Sequence, residues 1–171
     1  MTIVADSSPL IILAKLGCFD LLHRVYPRIY ISPEVHREVV VVGAGLPGAS
    51  EVAKATWIEV KPLQELQDRG ALLAAQQRFP LGAGELSTIF PGKELSADAV
   101  LLDDYHARRL AKTEGLAVRG SVGLLERFYR LRHLPDLRAA FQQLLDRGAY
   151  VDPRFLHHRL RMLGLPPLEE G

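Results

Sequence analysis

Cysteine is nearly absent from this sequence, because Cys18 is the only one among 171 residues. A lone cysteine excludes an intramolecular disulfide and any zinc site built from cysteines. The sequence also lacks an apolar run of about eighteen residues, so we expect no transmembrane helix. Residues 1–6 lack the basic segment that opens a secretory signal peptide. We therefore expect a cytoplasmic protein.

An excess of one charge is also absent from the chain as a whole, because its net charge is only +1 at pH 7. The charges are nevertheless unevenly distributed. Residues 119–161 contain nine arginines and four acids, so the rest of the chain is acidic on balance. Arginines often belong to solvated helix faces. A basic segment beside an acidic one also suits a polyanion that is guided toward an acidic centre.

The hydrophobic pattern predicts short strands that alternate with helices. We expect strands over residues 3–5, 28–31, 57–60, 99–102 and 116–118. Alternation of this kind predicts a three-layer α/β/α fold around a mostly parallel sheet of four or five strands. The length suits a single domain over residues 1–171, with C-terminal helices at about 136–165 packed on it.

The helix boundaries are predicted from caps and breakers. Ser8-Pro9 and Ser32-Pro33 each combine an N-cap serine with a proline at the first helical position. The first of these helices should stop at Gly17, and the second should cover residues 33–40. We expect a glycine-rich loop over 43–50 and a short helix over 85–90 that ends at Pro91-Gly92. Further helices are predicted over residues 19–25, 63–79, 104–114, 121–132, 136–147 and 153–163.

Acidic residues follow two of the predicted strands. Asp6 follows the first strand, and Asp103-Asp104 follow the strand at 99–102. Glu38 lies in the helix after the second strand, and Glu85 opens the helix before the strand that ends at Asp103. In parallel sheets the carboxyl ends of the strands form the ligand-binding edge, so these acids could meet there.

Each acid alone has an ordinary explanation. Asp6 and Asp104 could simply cap helices, Glu38 could lie on a solvated face, and Glu85 could complement a helix dipole. Together they are more informative, because clustered carboxylates repel one another unless a cation neutralises them. Oxygen ligands suit Mg²⁺ or Mn²⁺, which can activate water against a phosphodiester.

Five segments of the chain resemble the PIN-domain family, particularly a bacterial and cyanobacterial branch close to the VapC-like toxin ribonucleases. The resemblance covers about residues 3–165. It is carried by IVADSSPLI at 3–11, ISPEVHREV at 31–39, Gly-Glu at 84–85, LLDDYHAR at 101–108 with its Asp-Asp-x-x-Ala-Arg signature, and GSVGLL at 120–125.

This resemblance implies a PIN-like fold and a metal-dependent endoribonuclease, the toxin of a toxin–antitoxin pair. It implies RNA as substrate, Mg²⁺ or Mn²⁺ as cofactor, an antitoxin protein as partner, and a homodimer. The implied catalytic and metal-binding residues are Asp6, Glu38, Glu85 and Asp104, with Asp103 as an adjacent metal ligand. Ser7 and Ser121 would support these ligands, and Arg108 and the arginines after Gly120 would hold the phosphate backbone.

Other interpretations remain open at this stage. The chain could be a non-catalytic PIN module that binds nucleic acid or an antitoxin. Gly43, Gly45 and Gly48 form a G-x-G-x-x-G pattern, but Glu59 follows Gly43 by only sixteen residues, which is short for a dinucleotide site. A phospho-receiver would carry its acidic pair at the first strand rather than at 103–104. Without cysteine partners, the histidines at 106, 157 and 158 fit a surface role better than a metal site.

Overall fold

A computed structural model of the chain describes residues 1–62, 74, 77–78 and 81–168. Its centre is a five-stranded sheet of the order β3-β2-β1-β4-β5, in which every neighbouring pair is parallel. The strands are β1 (Ile3–Ala5), β2 (Ile29–Ile31), β3 (Ile58–Val60), β4 (Ala99–Leu101) and β5 (Val118–Arg119). The predicted α/β class and parallel sheet are confirmed.

Helices connect the strands in every crossover that the structure describes. They are α1 (Ser7–Lys15), α2 (Phe19–Val25), α3 (Pro33–His36), a π-helix (Arg37–Val42), α4 (Ala49–Lys54), α5 (Ala83–Glu94), α6 (Tyr105–Thr113), α7 (Ser121–Arg130), α8 (Leu137–Asp146) and α9 (Pro153–Met162). The helix predicted over 63–79 falls almost entirely outside the described residues. No helix in the described part of the chain is long and apolar enough to cross a membrane.

The sheet is buried on both faces, which explains why its inner strands are apolar throughout. Ile3 and Ala5 point toward the larger core, which α1, α2 and α7–α9 complete. Val4 points to the opposite face, where the smaller core packs beneath α5 and α6. Leu137 of α8 and Leu156 of α9 belong to the larger core, so both helices pack on the face of the sheet to which Ile3 and Ala5 point.

Two predicted helix boundaries are wrong. The first helix begins at Ser7 with Asp6 as N-cap, so Ser8 and Pro9 lie inside its first turn. The helix predicted to end at Pro91-Gly92 begins at Ala83 and continues to Glu94. A β-carbon at Gly92 would lie only 2.7 Å from Val100 Cγ1. The close packing of this helix on β4 therefore outweighs the breaking tendency of Pro91.

The segment after β2 also differs from its prediction. Only Pro33–His36 is α-helical, and the chain then widens into the π-helix Arg37–Val42, which carries Glu38. π-Helical turns are rare and often occur at functional sites. The loop predicted over 43–50 is shorter, because α4 begins at Ala49 after Gly48, whose φ of +99° suits glycine.

Candidate active site

Asp6 lies at the centre of the acidic edge of the sheet. Its backbone N–H donates to Leu101 O at 3.0 Å, which ties the end of β1 to β4. The residue is only 3% exposed, and its Oδ1 has no hydrogen-bond partner among the described residues. Burial raises the pKa of Asp6 to about 7; the Ser7 backbone N–H opposes this shift, and Glu85, Glu38 and Asp103 add to it.

Glu38 and Glu85 approach Asp6 from two different helices. Glu38 comes from the π-helix and Glu85 from the first turn of α5. Gly84 shows how close these side chains lie, because a β-carbon there would be 3.1 Å from both Asp6 Oδ1 and Glu38 Oε2. Any residue larger than glycine at this position of α5 would crowd the two carboxylates.

A buried pair of serines joins α3, which leads into the π-helix that carries Glu38, to α5, which carries Glu85. Ser32 caps α3, accepting from the Val35 N–H at 3.1 Å, and its hydroxyl lies 2.7 Å from the Ser87 hydroxyl. Ser87 in turn donates to Gly84 O at 2.9 Å. Both hydroxyls are almost fully buried, so this chain of hydrogen bonds fixes α3 against the turn of α5 that carries Glu85.

Asp103 is held by three donors. Its carboxylate accepts from the Ser121 N–H at 2.7 Å, the Ser121 hydroxyl at 2.6 Å and the Ser8 hydroxyl at 3.3 Å. These bonds connect the end of β4 to the first turns of α7 and α1. Such a carboxylate is fixed in orientation before any ligand arrives.

Asp104 has a different position from its neighbour. It is the N-cap of α6, and its Oδ1 accepts from the Ala107 N–H at 2.8 Å. Its side chain is exposed, and it is not among the acids whose charge raises the pKa of Asp6. Of the two adjacent aspartates, Asp103 is therefore the one that acts electrostatically on Asp6.

Two clefts meet at Asp6 and Glu85, which line both. The smaller, of about 400 Å³, is also lined by Ser7, Glu34, Arg37 and Glu38. The larger, of about 1300 Å³, runs past Asp103 and Asp104 between α6 and the C-terminal helices. Every acid predicted for the site therefore lines one of two adjoining clefts. Arg108 and Ser121 line the larger cleft, as does Arg119.

The side chains of the site have the donor atoms that a divalent cation requires, but they do not converge into a complete set of ligands. The donors are all oxygens, Asp6 offers a buried oxygen without a partner, and Gly84 leaves room beside it. Yet within residues 1–62 and 81–168, no three His, Cys, Asp or Glu side chains converge as a ready set of metal ligands. The acids are close enough to interact through their charges, but their oxygen atoms do not converge on one point.

Sequence reasoning missed several residues that shape the site. Ser8 was predicted only as a helix cap, yet its hydroxyl donates to Asp103. Arg37 lines the smaller cleft, and its position beside Glu38 in sequence was the available signal. The Ser32–Ser87 contact joins residues 55 positions apart, and no local pattern could have indicated it.

The glycine pattern at 43–48 and the histidines singled out in the sequence do not form a second site among the described residues. The glycine pattern at 43–48 follows the π-helix instead of a strand, so it lacks the strand–turn–helix context of a dinucleotide site. The side chains of His106 and His158 are exposed, and His106 packs edge-on against Tyr105.

Comparison with known proteins places the chain in a family. A search of curated protein sequences finds no significant match. A solved structure of a PilT N-terminus domain protein from the hyperthermophilic archaeon Sulfolobus solfataricus P2 is similar, with 16% identity and a TM-score of 0.48. That alignment covers 74% of this chain and 92% of the other.

The family model described as PIN domain matches residues 2–165, nearly the whole chain. PIN domains are generally nuclease modules, they act on nucleic acid, and they typically use divalent metals. The chain therefore belongs to the PIN-domain family.

Proposed function

We propose that this PIN domain is a divalent-metal-dependent endoribonuclease that hydrolyses RNA phosphodiester bonds. The observation that carries the proposal is the buried carboxylate of Asp6, whose Oδ1 has no hydrogen-bond partner among the described residues, with three further acids close enough to raise its pKa. Such an arrangement is costly in an isolated protein, because burial and like charge both disfavour ionisation. A bound cation would offset that cost, so the arrangement suits a metal centre.

Asp6, Glu38, Glu85 and Asp103 would hold Mg²⁺ or Mn²⁺, and Asp104 would lie at the margin of the site. When bound, the cation would supply an activated water and stabilise the charge that develops on the phosphate. Ser121 and Ser8 keep the Asp103 carboxylate oriented, and the Ser32–Ser87 hydrogen bond holds α3 against the turn of α5 that carries Glu85. These supports would set the acids before substrate binds.

The larger cleft supplies the cationic side chains that a phosphate backbone requires. Arg108, Arg109, Lys112 and Arg119 line it, and none of them forms an ion pair with a described residue. Lys and Arg side chains without a carboxylate partner suit the neutralisation of phosphates. The cleft leads directly to Asp6 and Asp103, so a strand bound there would pass over the acidic centre.

The biological setting is proposed from the family resemblance of the five sequence segments. It suggests a VapC-like toxin that an antitoxin protein restrains, acting as a homodimer in the cytoplasm. Exposed apolar side chains at Val41, Val42 and Leu46 are compatible with such contacts, and Val42 also lines the smaller cleft.

The test is cleavage of a mixed single-stranded RNA with Mn²⁺, with EDTA, and by the Asp6→Asn variant. We expect metal-dependent cleavage in the wild type and a loss of at least about a hundredfold in the variant. Asp20→Asn, an exposed acid of α2, is the matched control and should cleave normally. Metal-dependent cleavage that survives in folded Asp6→Asn would remove Asp6 from the centre.

One observation favours a second candidate, a non-catalytic PIN module that binds nucleic acid or an antitoxin. In the part of the chain that the structure describes, no three candidate ligands converge. If RNA binds in the larger cleft but no cleavage occurs with Mn²⁺ or Mg²⁺, this candidate replaces the nuclease. The distant alternative of a dinucleotide-binding protein would require NAD binding at residues 43–48.

A further inference from the structure

Exposed aromatic side chains are concentrated at one place on the molecule. Among the described residues, only three Phe, Tyr or Trp side chains are exposed: Tyr105 (64%), Tyr150 (107%) and Phe155 (48%). All three line the larger cleft. Single exposed aromatic side chains are ordinary, but three at one cleft indicate a binding site.

The three aromatics come from two separate elements that line the cleft. Tyr105 opens α6 directly after the aspartate pair, whereas Tyr150 precedes α9 and Phe155 lies in its first turn. The side chain of Tyr150 has no described ring or cation partner and is fully exposed. Arg109 lies 5.8 Å from the centre of the Tyr105 ring, so a cation and an aromatic face occur side by side.

The wall that carries Phe155 is fixed to the rest of the protein. Arg159, one turn further along α9, donates two hydrogen bonds of 2.5 Å to Glu126 of α7. Glu126 is buried, and Leu156 and Leu160 of the same helix lie in the larger core. The aromatic wall is therefore a rigid part of the fold, which lowers the entropic cost of binding a flexible chain.

Cationic and aromatic side chains together select one kind of ligand. The unpaired cations Arg108, Lys112 and Arg119 suit a polyanion, and exposed rings suit flat apolar groups spaced along it. A single-stranded nucleic acid presents both, since its bases are free to stack, whereas in a duplex they already stack on each other. An apolar peptide would satisfy the rings and leave the cations unused.

We propose that Tyr105, Tyr150 and Phe155 stack on unpaired bases that flank the phosphate held at the acidic centre. The inference deepens the proposed function, because it assigns the specificity for unpaired strands to two elements that line one cleft. It rests on nucleic-acid binding but not on cleavage, so binding alone can test it.

The experiment measures binding of a twelve-nucleotide oligouridine and of an abasic strand of equal length, with protein carrying Asp6→Asn to prevent cleavage. Against this background, Tyr150→Ala and Phe155→Ala are compared with Tyr150→Phe. Met162→Ala is the matched control, because Met162 is an exposed apolar residue of α9 that does not line the cleft. Circular dichroism verifies that each variant is folded.

We expect oligouridine to bind more tightly than the abasic strand, and each alanine variant to lose about tenfold on oligouridine alone. Tyr150→Phe and Met162→Ala should bind as the parent does. Equal affinity for both strands, or equal losses on both, would overturn the stacking role. Absence of binding to either strand would overturn the stacking role and the proposed substrate together, whereas base-dependent binding without metal-dependent cleavage in the wild type would overturn only the proposed reaction.

Discussion

At the scale of single residues, Asp6 combines features that oppose each other. Its carboxylate is buried, its Oδ1 has no partner among the described residues, and the charges of three other acids raise its pKa. The sequence predicted Asp6 as a site residue because it follows an apolar strand. It could not predict the burial of Asp6, because burial depends on elements distant in sequence that pack around the end of β1.

The raised pKa of Asp6 predicts how stability depends on pH. Between pH 3.8, the ordinary pKa, and about 7, the folded protein keeps a proton that the unfolded chain has released. The free energy of unfolding should therefore fall as the pH rises through this window, by about 3 kcal/mol between pH 5 and 8. Urea denaturation in EDTA should show that this fall is absent in Asp6→Asn, and a fall of equal size in the variant would contradict the assignment.

Mutations of the two adjacent aspartates, Asp103 and Asp104, are predicted to have different effects on cleavage. Asp104→Asn keeps the cap on α6, because asparagine accepts the same N–H, so both stability and cleavage should change little. Asp103→Asn removes the charge beside Asp6 and weakens three hydrogen bonds, so cleavage should fall at least about tenfold. Rates and melting temperatures measured on both variants check this, and the reverse order of effects would make Asp104 the ligand.

At the scale of elements, the sequence predicted the strands well and the helices less well. Buried parallel strands are continuous apolar runs, and Val4 and Val100 belong to such runs. The π-helix was not predicted, because the sequence pattern gives no local signal for bonds such as the one that the Gly43 N–H donates to Glu38 O, five residues back. The helix end predicted at Pro91 is wrong, because the contact of Gly92 with β4 is a tertiary interaction that local sequence does not reveal.

The helix α5 offers a direct test of the space between the acids. Gly84→Ala places a β-carbon 3.1 Å from two carboxylate oxygens and should push Asp6 and Glu38 apart. Alanine favours helices over glycine by about 1 kcal/mol, so stability should be kept while Mn²⁺ affinity falls several-fold. Gly123→Ala in α7 is the matched control, because its β-carbon would meet nothing within 4 Å. Unchanged Mn²⁺ affinity in Gly84→Ala would mean that cations bind elsewhere.

At the scale of the whole molecule, the arginines of the C-terminal part differ in whether they have carboxylate partners. The sequence suggested that its arginines hold the phosphate backbone. The structure pairs Arg159 with the buried Glu126, whereas Arg154 pairs with Asp152 at the exposed surface. Arg119 remains available at the larger cleft. The pattern of charge along the chain showed the surplus of arginine but not which arginines have partners.

The Glu126–Arg159 pair is predicted to hold α9 in place. Arg159→Met should lower the free energy of unfolding by about 3 kcal/mol, because among the described residues it leaves the buried Glu126 only Arg130, at 3.9 Å, as a cationic partner. Adding Glu126→Leu should recover most of this loss. Arg154→Met, which breaks an exposed pair, should change stability little, as urea denaturation can measure. A loss of equal size in both single variants would contradict the role given to the buried pair.

The central claim is that Asp6 and its neighbouring acids form a divalent-cation centre, and Mn²⁺ binding tests it most directly. The measurement is electron paramagnetic resonance of Mn²⁺ titrated into the wild type and Asp6→Asn at pH 8, where Asp6 is ionised. The account predicts one or two bound ions in the wild type and at least about tenfold weaker binding in the variant. Folded wild-type protein that binds no Mn²⁺, or binds it as the variant does, would contradict the account.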